Sequence, residues 1–289
     1  MVTDSTNTNP LSNCRLAFIG CGVMAEAIIT GMLRRKMVGA DQIVGSHPRL
    51  ARREEMHVKY GVEMYEKNRD AVVEAYPEGP NDSSLLVLAV KPQRLYPVLE
   101  ELKGALVKEQ LVISIVAGAK IETIAEELLH ASVVRTMPNT PSQIGEGITA
   151  WTASASVSEK QEHQVCAMLD ALGKSVHVEN ERQIDMATAL SATGPTYIFM
   201  VMEALIDAGV HLGFSRHVAE ELVHQTLLGS VLFARESHKH PAELRNMVTS
   251  PGGTSAEAIY QMEKGSLRTI MSKAVWAAFQ RAESLGKVR

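Results

Sequence analysis

Between Arg15 and about His177 the chain alternates short apolar runs with longer amphipathic ones, and after roughly Glu181 the alternation stops. No other feature restricts the fold as much. The runs RLAFIG, DQIVGS, SSLLVLAV, QLVISIVAG, SVVRTMPN, GITAWTA and SVHV read as strands. Several are apolar throughout, as strands buried on both faces are. Segments such as Ala25–Arg35, Leu50–Tyr60 and Tyr96–Leu106 lie between them with helical periodicity. Strand and helix in alternation imply a parallel sheet covered on both sides. Beyond the change, Asp185–Leu212, His217–Glu236, Thr254–Glu263 and Leu267–Ser284 all read as helices, punctuated by Pro195, Pro241 and Pro251. The expected organisation is an unstructured polar tail over 1–13, a doubly wound α/β domain over 14–180 and an all-helical domain over 181–289.

Bulk properties narrow the function classes. The net charge of -4 and pI near 6.2 give no footprint for nucleic acid. Cys14, Cys21 and Cys166 are odd in number and lack metal-ligand spacing, which fits reduced thiols in the cytoplasm. The first residues, MVTDSTNTNPLSN, do not read as a signal peptide. The apolar stretch Met186–Ile206 is broken by Thr, Ser, Gly, Pro and Glu203, so it reads as a buried helix rather than a membrane span.

Gly20-Cys21-Gly22-Val23-Met24-Ala25 follows the first apolar strand and opens a helix. This is the G-x-G-x-x-G/A pattern of a Rossmann-type dinucleotide site. Gly20 makes the tight turn, Gly22 lets the backbone approach a pyrophosphate, and Ala25 keeps helix and strand close. The helix N-terminus offers N–H groups and a positive dipole end to the phosphates. Cys21 sits inside this motif, so its oxidation would be expected to block phosphate binding. The second strand, DQIVGS, ends without a carboxylate; Ser46-His47-Pro48-Arg49 follow. Asp or Glu there would hold the ribose hydroxyls of NADH, whereas Ser46 and Arg49 suit a 2′-phosphate, so NADPH is favoured and NADH remains possible. The loops LAVKP (88–92) and IVAGAK (115–120) leave later strands at their carboxyl ends, which points Ala89, Val90, Lys91, Pro92, Ala117 and Gly118 at the cofactor crevice. RTMPNTP (135–141) is a further loop of this kind, stiffened by two prolines around Asn139.

The helical half limits the chemistry. Many two-domain dehydrogenases that oxidise alcohols use a Lys base on the first long helix after the nucleotide domain, but no Lys lies between Ser175 and His238. His211, His217, His224, His238 and His240 lack metal-site company, so no metal is implied. Reduction of a C=N bond needs no strong base, because a protonated imine is already electrophilic. The stretch VTSPGGTSAEA (248–258) offers what such a reaction uses: a helix start for a carboxylate, and hydroxyls.

Taken together, FIGCGVMAEAI, AVKP, VAGA, MPNTP, DMATALSATGPTYIF and VTSPGGTSAEAIYQMEKG resemble the pyrroline-5-carboxylate reductase family over nearly the whole chain after the tail. The resemblance implies NAD(P)H along the glycine motif, the end of the second strand, Asn68, and the AVKP and VAGA loops. It implies a substrate carboxylate on Ser250, Gly252, Gly253 and Thr254, with Ser255 as the hydroxyl near the ring nitrogen and Thr254 beside it in catalysis. Glu181 resembles the family's acidic residue ahead of the first long helix, on the substrate side. Family members form homodimers through interlocked C-terminal helices, often in higher oligomers, with the substrate pocket at that interface. Two motifs depart from the family pattern: PGGTT reads PGGTS here, so Ser255 replaces Thr, and SGSGPAY reads SATGPTY, with Ala192, Thr193 and Thr196. Neither removes a needed group; both bear on substrate preference. The expected activity is therefore NADPH-dependent reduction of 1-pyrroline-5-carboxylate to L-proline. The alternatives are a relative acting on another cyclic imine or a β-hydroxy acid, and a non-catalytic NADP(H)-binding protein.

Overall fold

A computed structural model describes residues 9–76 and 83–286. The chain runs β1 (Cys14–Ile19), α1 (Val23–Arg34), β2 (Ile43–Ser46), α2 (Leu50–Tyr60), β3 (Glu63–Tyr65), α3 (Asn68–Glu74), β4 (Ser83–Leu88), α4 (Leu95–Leu102), β5 (Gln110–Ser114), α5 (Ile121–Leu128), β6 (Val133–Met137), β7 (Gly147–Ala153), α6 (Glu159–Asp170) and β8 (Gly173–His177). Five further helices follow: α7 (Glu181–Ala187), α8 (Gly194–His211), α9 (Arg216–Ser237), α10 (Pro241–Met247) and α11 (Thr254–Lys264), and then α12 (Leu267–Leu285) closes the described chain.

The strands form one sheet in the order β3-β2-β1-β4-β5-β6-β7-β8. Alternation along β1 explains why the sheet is covered twice. Leu16 and Phe18 face a core completed by Ile28, Ile29 and Met32 of α1 and Val165 and Met168 of α6. Ala17 and Ile19 face the other core, with Val72 of α3, Leu99 of α4 and Ile124 of α5. The fold class is thus the doubly wound α/β sheet followed by helices that the sequence predicts.

Three details differ from the sequence reading. The sheet is not wholly parallel, because β7 pairs antiparallel with β6. Only a short 3₁₀ turn at Thr140–Ile144 separates them, too little chain for a parallel crossover. The tail does not extend to residue 13: Leu11 is fully buried in the core, and Asn9 bonds to the Met37 carbonyl, while residues 1–8 lie outside the described residues. The predicted helix Asp185–Leu212 is interrupted by a π-turn at Thr188–Ala192. Hydroxyls cover the carbonyls loosened there, Thr188 Oγ1 donating to Ile184 O, Ser191 Oγ to Ala187 O and Thr193 Oγ1 to Thr188 O.

Two compact units result, one comprising the chain up to Thr193 together with Ala278 onward, the other Gly194–Ala277. The first unit runs on to Thr193 because α7 packs on the sheet, Ile184 joining Met137 and Ala150 in a small core. In the second unit α8 and α9 meet where Gly209 approaches Ala219. Ile206 and Ala219 are its buried apolar residues. The run Glu181–His211 is long and apolar enough to cross a membrane by length and composition. It is not the buried helix that the sequence predicts: Leu190, Phe199 and Met200 are 67%, 57% and 65% exposed within the chain.

Candidate functional site: a dinucleotide crevice and a helix-start cradle

The strand order reverses at β1 and β4, and the loops leaving these strands form the crevice where an α/β sheet takes its ligand. Gly20 sits at φ +89°, and a Cβ there would lie 2.6 Å from Val90 Cγ1 and 3.1 Å from Ala89 O. Ala89 N in turn donates to Ile19 O at 2.9 Å, so the two loops are fastened side by side. Gly20 N and Cys21 N both donate to Ser46 O at 3.2 Å. At Gly22 the situation reverses: a Cβ would meet nothing within 4 Å. Gly22 is the N-cap of α1 and no side chain caps that end. The first-turn amides, ahead of the first helical bond from Glu26 N to Gly22 O, therefore face open space. An uncapped helix end beside an empty position is what a pyrophosphate requires, so the residues present fit a dinucleotide.

Within the motif, Ala25 is buried and Val23 exposed, while Cys21 is fully buried. Burial pushes the Cys21 thiol up to about 12, against the opposing charge of Arg52. It stays protonated at neutral pH, which removes the basis for expecting oxidation there. Its backbone is engaged as well, Cys21 N with Ser46 O and Cys21 O with Arg52 Nε, so Cys21 shapes the turn rather than presenting a free group.

The second-strand tip is arranged differently from the sequence reading. Ser46 is fully buried, and its hydroxyl donates to Asn68 Oδ1 at 2.7 Å. Asn68 opens α3 and donates to Glu101 through Nδ2 at 2.6 Å and its backbone N at 2.9 Å. Ser46 and Asn68 are brought together, but the Ser46 hydroxyl is engaged. Arg49, the N-cap of α2, is exposed, and its guanidinium has no hydrogen-bond or ion-pair partner among the described residues. Its neighbours differ. Arg52 Nε donates to Cys21 O at 2.9 Å and Nη2 to Glu26 Oε2 at 2.6 Å, whereas Arg53 Nη1 donates to His47 O at 2.8 Å. His47 is held below the usual imidazole range by burial and by Arg49. Glu26 also accepts from Lys59 Nζ at 2.8 Å and Tyr60 Oη at 2.6 Å. Partial burial opposes its ionisation, but these hydrogen bonds outweigh it and hold Glu26 near 2. The Arg52–Glu26 pair, which fastens α2 to α1 while Arg52 also holds Cys21 O of the glycine loop, escapes sequence reasoning because nothing in its spacing marks it.

Lys91 and Pro92 begin a 3₁₀ turn after β4, with Lys91 exposed. Ala117 and Gly118 leave β5, Gly118 at φ +75°. Glu181 stands close to this loop: its Oε1 accepts from Ile121 N at 2.9 Å and from Arg135 Nη1 at 3.1 Å. A charged residue inside the apolar run VVRTM was the signal that could have predicted such a partner. Asn139 is buried, accepting from Ile148 N at 3.0 Å and donating to Ser191 O at 3.3 Å.

In the second unit, Gly252 takes φ +68°, and Gly253 caps α11 without any side-chain hydrogen bond. A Cβ on Gly252 would meet nothing within 4 Å. Gly253 N is not free as expected, since it donates to Ser250 O at 3.0 Å and closes the turn. Ala256 N and Glu257 N bond to Gly253 O, which leaves the amides of Thr254 and Ser255 ahead of the first helical bonds. An anion-receptive helix start with two adjacent hydroxyls remains.

A family model described as pyrroline-5-carboxylate reductase dimerisation matches residues 181–285, and one described as NADP oxidoreductase, coenzyme F420-dependent, matches residues 15–118. The pyrroline-5-carboxylate reductase of Pseudomonas aeruginosa is 39% identical over 96% of this chain and 98% of its own length. That of Synechocystis is 38% identical over 94% of this chain and 98% of its own length. Among solved structures, the Coxiella burnetii enzyme superposes with a TM-score of 0.83 at 38% identity, covering 96% of this chain and 99% of that one. A Plasmodium falciparum pyrroline carboxylate reductase with NADP bound superposes with a TM-score of 0.85 at 29% identity, covering 95% and 99%. With identity at this level over nearly its full length, the chain belongs to the pyrroline-5-carboxylate reductase family.

Proposed function

We propose that the protein is an NADPH-dependent reductase that converts 1-pyrroline-5-carboxylate to L-proline. The observation that carries this reading is the uncapped start of α11, where the Thr254 and Ser255 amides precede the first helical bonds in a family member that lacks a lysine base. These amides hold the substrate carboxylate, and Gly252 keeps the approach open. The Ser255 hydroxyl hydrogen-bonds at the ring nitrogen, which gains a proton as the imine carbon is reduced. The open position at Gly22 and the first turn of α1 receive the pyrophosphate. Ala89 to Pro92, Ala117 and Gly118 line the nicotinamide side, and Arg49, whose guanidinium has no partner among the described residues, meets the 2′-phosphate. When bound, NADPH supplies the hydride.

The assembly is proposed to be a homodimer through residues 181–289. A helical unit with so few buried side chains cannot hold itself together, since stability comes mainly from packing an apolar face. A second copy covers the open face of α8 better than a membrane would, because Glu203 and Asp207 interrupt it. Three unpaired thiols fit the cytoplasm. The test is Ser255→Ala, expected to lower turnover about tenfold or more, as loss of a transition-state hydrogen bond does, with NADPH binding unchanged. Unchanged turnover would remove Ser255 from the mechanism.

A further inference from the structure

Residues 116–121, from the loop after β5 to the first residue of α5, are held from two sides by the two ends of the helical region. At one side, Glu181, the first residue of α7, accepts from Ile121 N at 2.9 Å. Its own position is fixed by Arg135, which donates to Glu181 at 3.1 Å and to Asp185 at 2.5 Å. Arg135 is 1% exposed, so each carboxylate balances a charge with no access to water. At the other side, the end of α12 lies on Gly118. A Cβ on Gly118 would sit 2.8 Å from Gly286 N and from the Leu285 carbonyl carbon, and a Cβ on Gly286 would sit 2.8 Å from Gly118 O. Each position excludes a side chain because the other backbone occupies the space. The end of α12 is itself anchored, with Phe279 and Ala282 buried and Arg182 over the Phe279 ring at 5.7 Å.

We propose that Glu181 and Gly286 are positioning residues for the dinucleotide. They fix loop 116–121 so that Ala117 and Gly118 keep the shape that receives the nicotinamide side of the cofactor. The inference rests on the proposed function, which places the cofactor at those two residues. It moves Glu181 from the substrate side, where the family resemblance puts it, to the cofactor side. It also gives the family match over 181–285 a second meaning, because that region begins and ends against the same loop.

The test measures the NADPH dissociation constant by fluorescence titration, alongside KM for each substrate. Glu181→Ala and Gly286→Val are each expected to raise the NADPH dissociation constant about tenfold, with KM for 1-pyrroline-5-carboxylate at saturating NADPH within about twofold of wild type. Glu181→Gln, which keeps an oxygen for Ile121 N–H, should bind NADPH more tightly than Glu181→Ala. Gly286→Val leaves Arg135 and both of its carboxylate partners in place and tests the loop even if Glu181→Ala does not fold. A raised KM for the imino acid with unchanged NADPH binding in Glu181→Ala would return Glu181 to the substrate. Unchanged NADPH binding in Gly286→Val would overturn the brace. A wild-type protein that binds no NADPH would overturn the functional reading itself, an outcome separate from failure of the variants.

Discussion

Phe18 and Phe199 are both phenylalanines in the middle of regular elements, yet Phe18 is fully buried in β1 and Phe199 is 57% exposed on α8. The contrast extends to the two units as wholes. In the first, side chains on both faces of the sheet find partners within the same chain. In the second, long helices keep large apolar residues such as Met200, Leu232 and Phe233 exposed within the chain. The first unit is specified by its own sequence. The second is specified together with something it must bind, and a second copy is the proposed occupant.

The sharpest way to break this comparison is Phe199→Glu combined with Leu232→Glu. If a partner copy covers that face, the dimer should dissociate in sedimentation and turnover should fall about 100-fold, since buried unpaired charges at an interface cost several kcal/mol. If the face is solvent, exposed substitutions should change stability by no more than about 0.5 kcal/mol. Phe18→Ala is the control in the first unit: it should cost about 3–5 kcal/mol whatever the protein concentration, read by denaturant titration. Arg49→Gln has a narrower effect. It should raise KM for NADPH about tenfold and leave NADH nearly unchanged, because only the 2′-phosphate loses a charged partner.

The smallest effect is a pH dependence. Glu26 is held near 2 in the folded protein, below its ordinary value of 4.5. A depressed carboxylate contributes stability above its unfolded pKa and loses it as pH falls through the folded one. Stability should therefore decline between about pH 4.5 and pH 2, and that decline should be shallower in Glu26→Gln, measured by thermal unfolding across the window. The dependence should be confined to the first unit, where the Glu26–Arg52 pair fastens α2 to α1.

Much of the first unit is legible because its central strands are mostly apolar and its glycine motif joins a strand to a helix. The loops after β4 and β5 follow from the same logic. What escaped depended on single contacts. β3 spans only Glu63–Tyr65, too short to carry a periodicity. The antiparallel turn of β7 lies in the short Met137–Gly147 connection, where the sequence reading sees a further strand-end loop in an alternating, parallel pattern. At Ser46 and Gly253 the residue types are visible in the sequence, but not that the Ser46 hydroxyl and the Gly253 amide are already paired within the chain. In the C-terminal part of the chain the helices Arg216–Ser237, Thr254–Lys264 and Leu267–Leu285 match the periodic runs closely. The open face of α8 did not, because an apolar stretch looks the same whether its own chain or a partner buries it.

The account as a whole rests on hydride transfer to an imine, and that is measured by following NADPH absorbance with the purified protein and 1-pyrroline-5-carboxylate. The predicted result is consumption of one NADPH for each L-proline formed. No consumption at micromolar protein, with NADPH still bound, would contradict it.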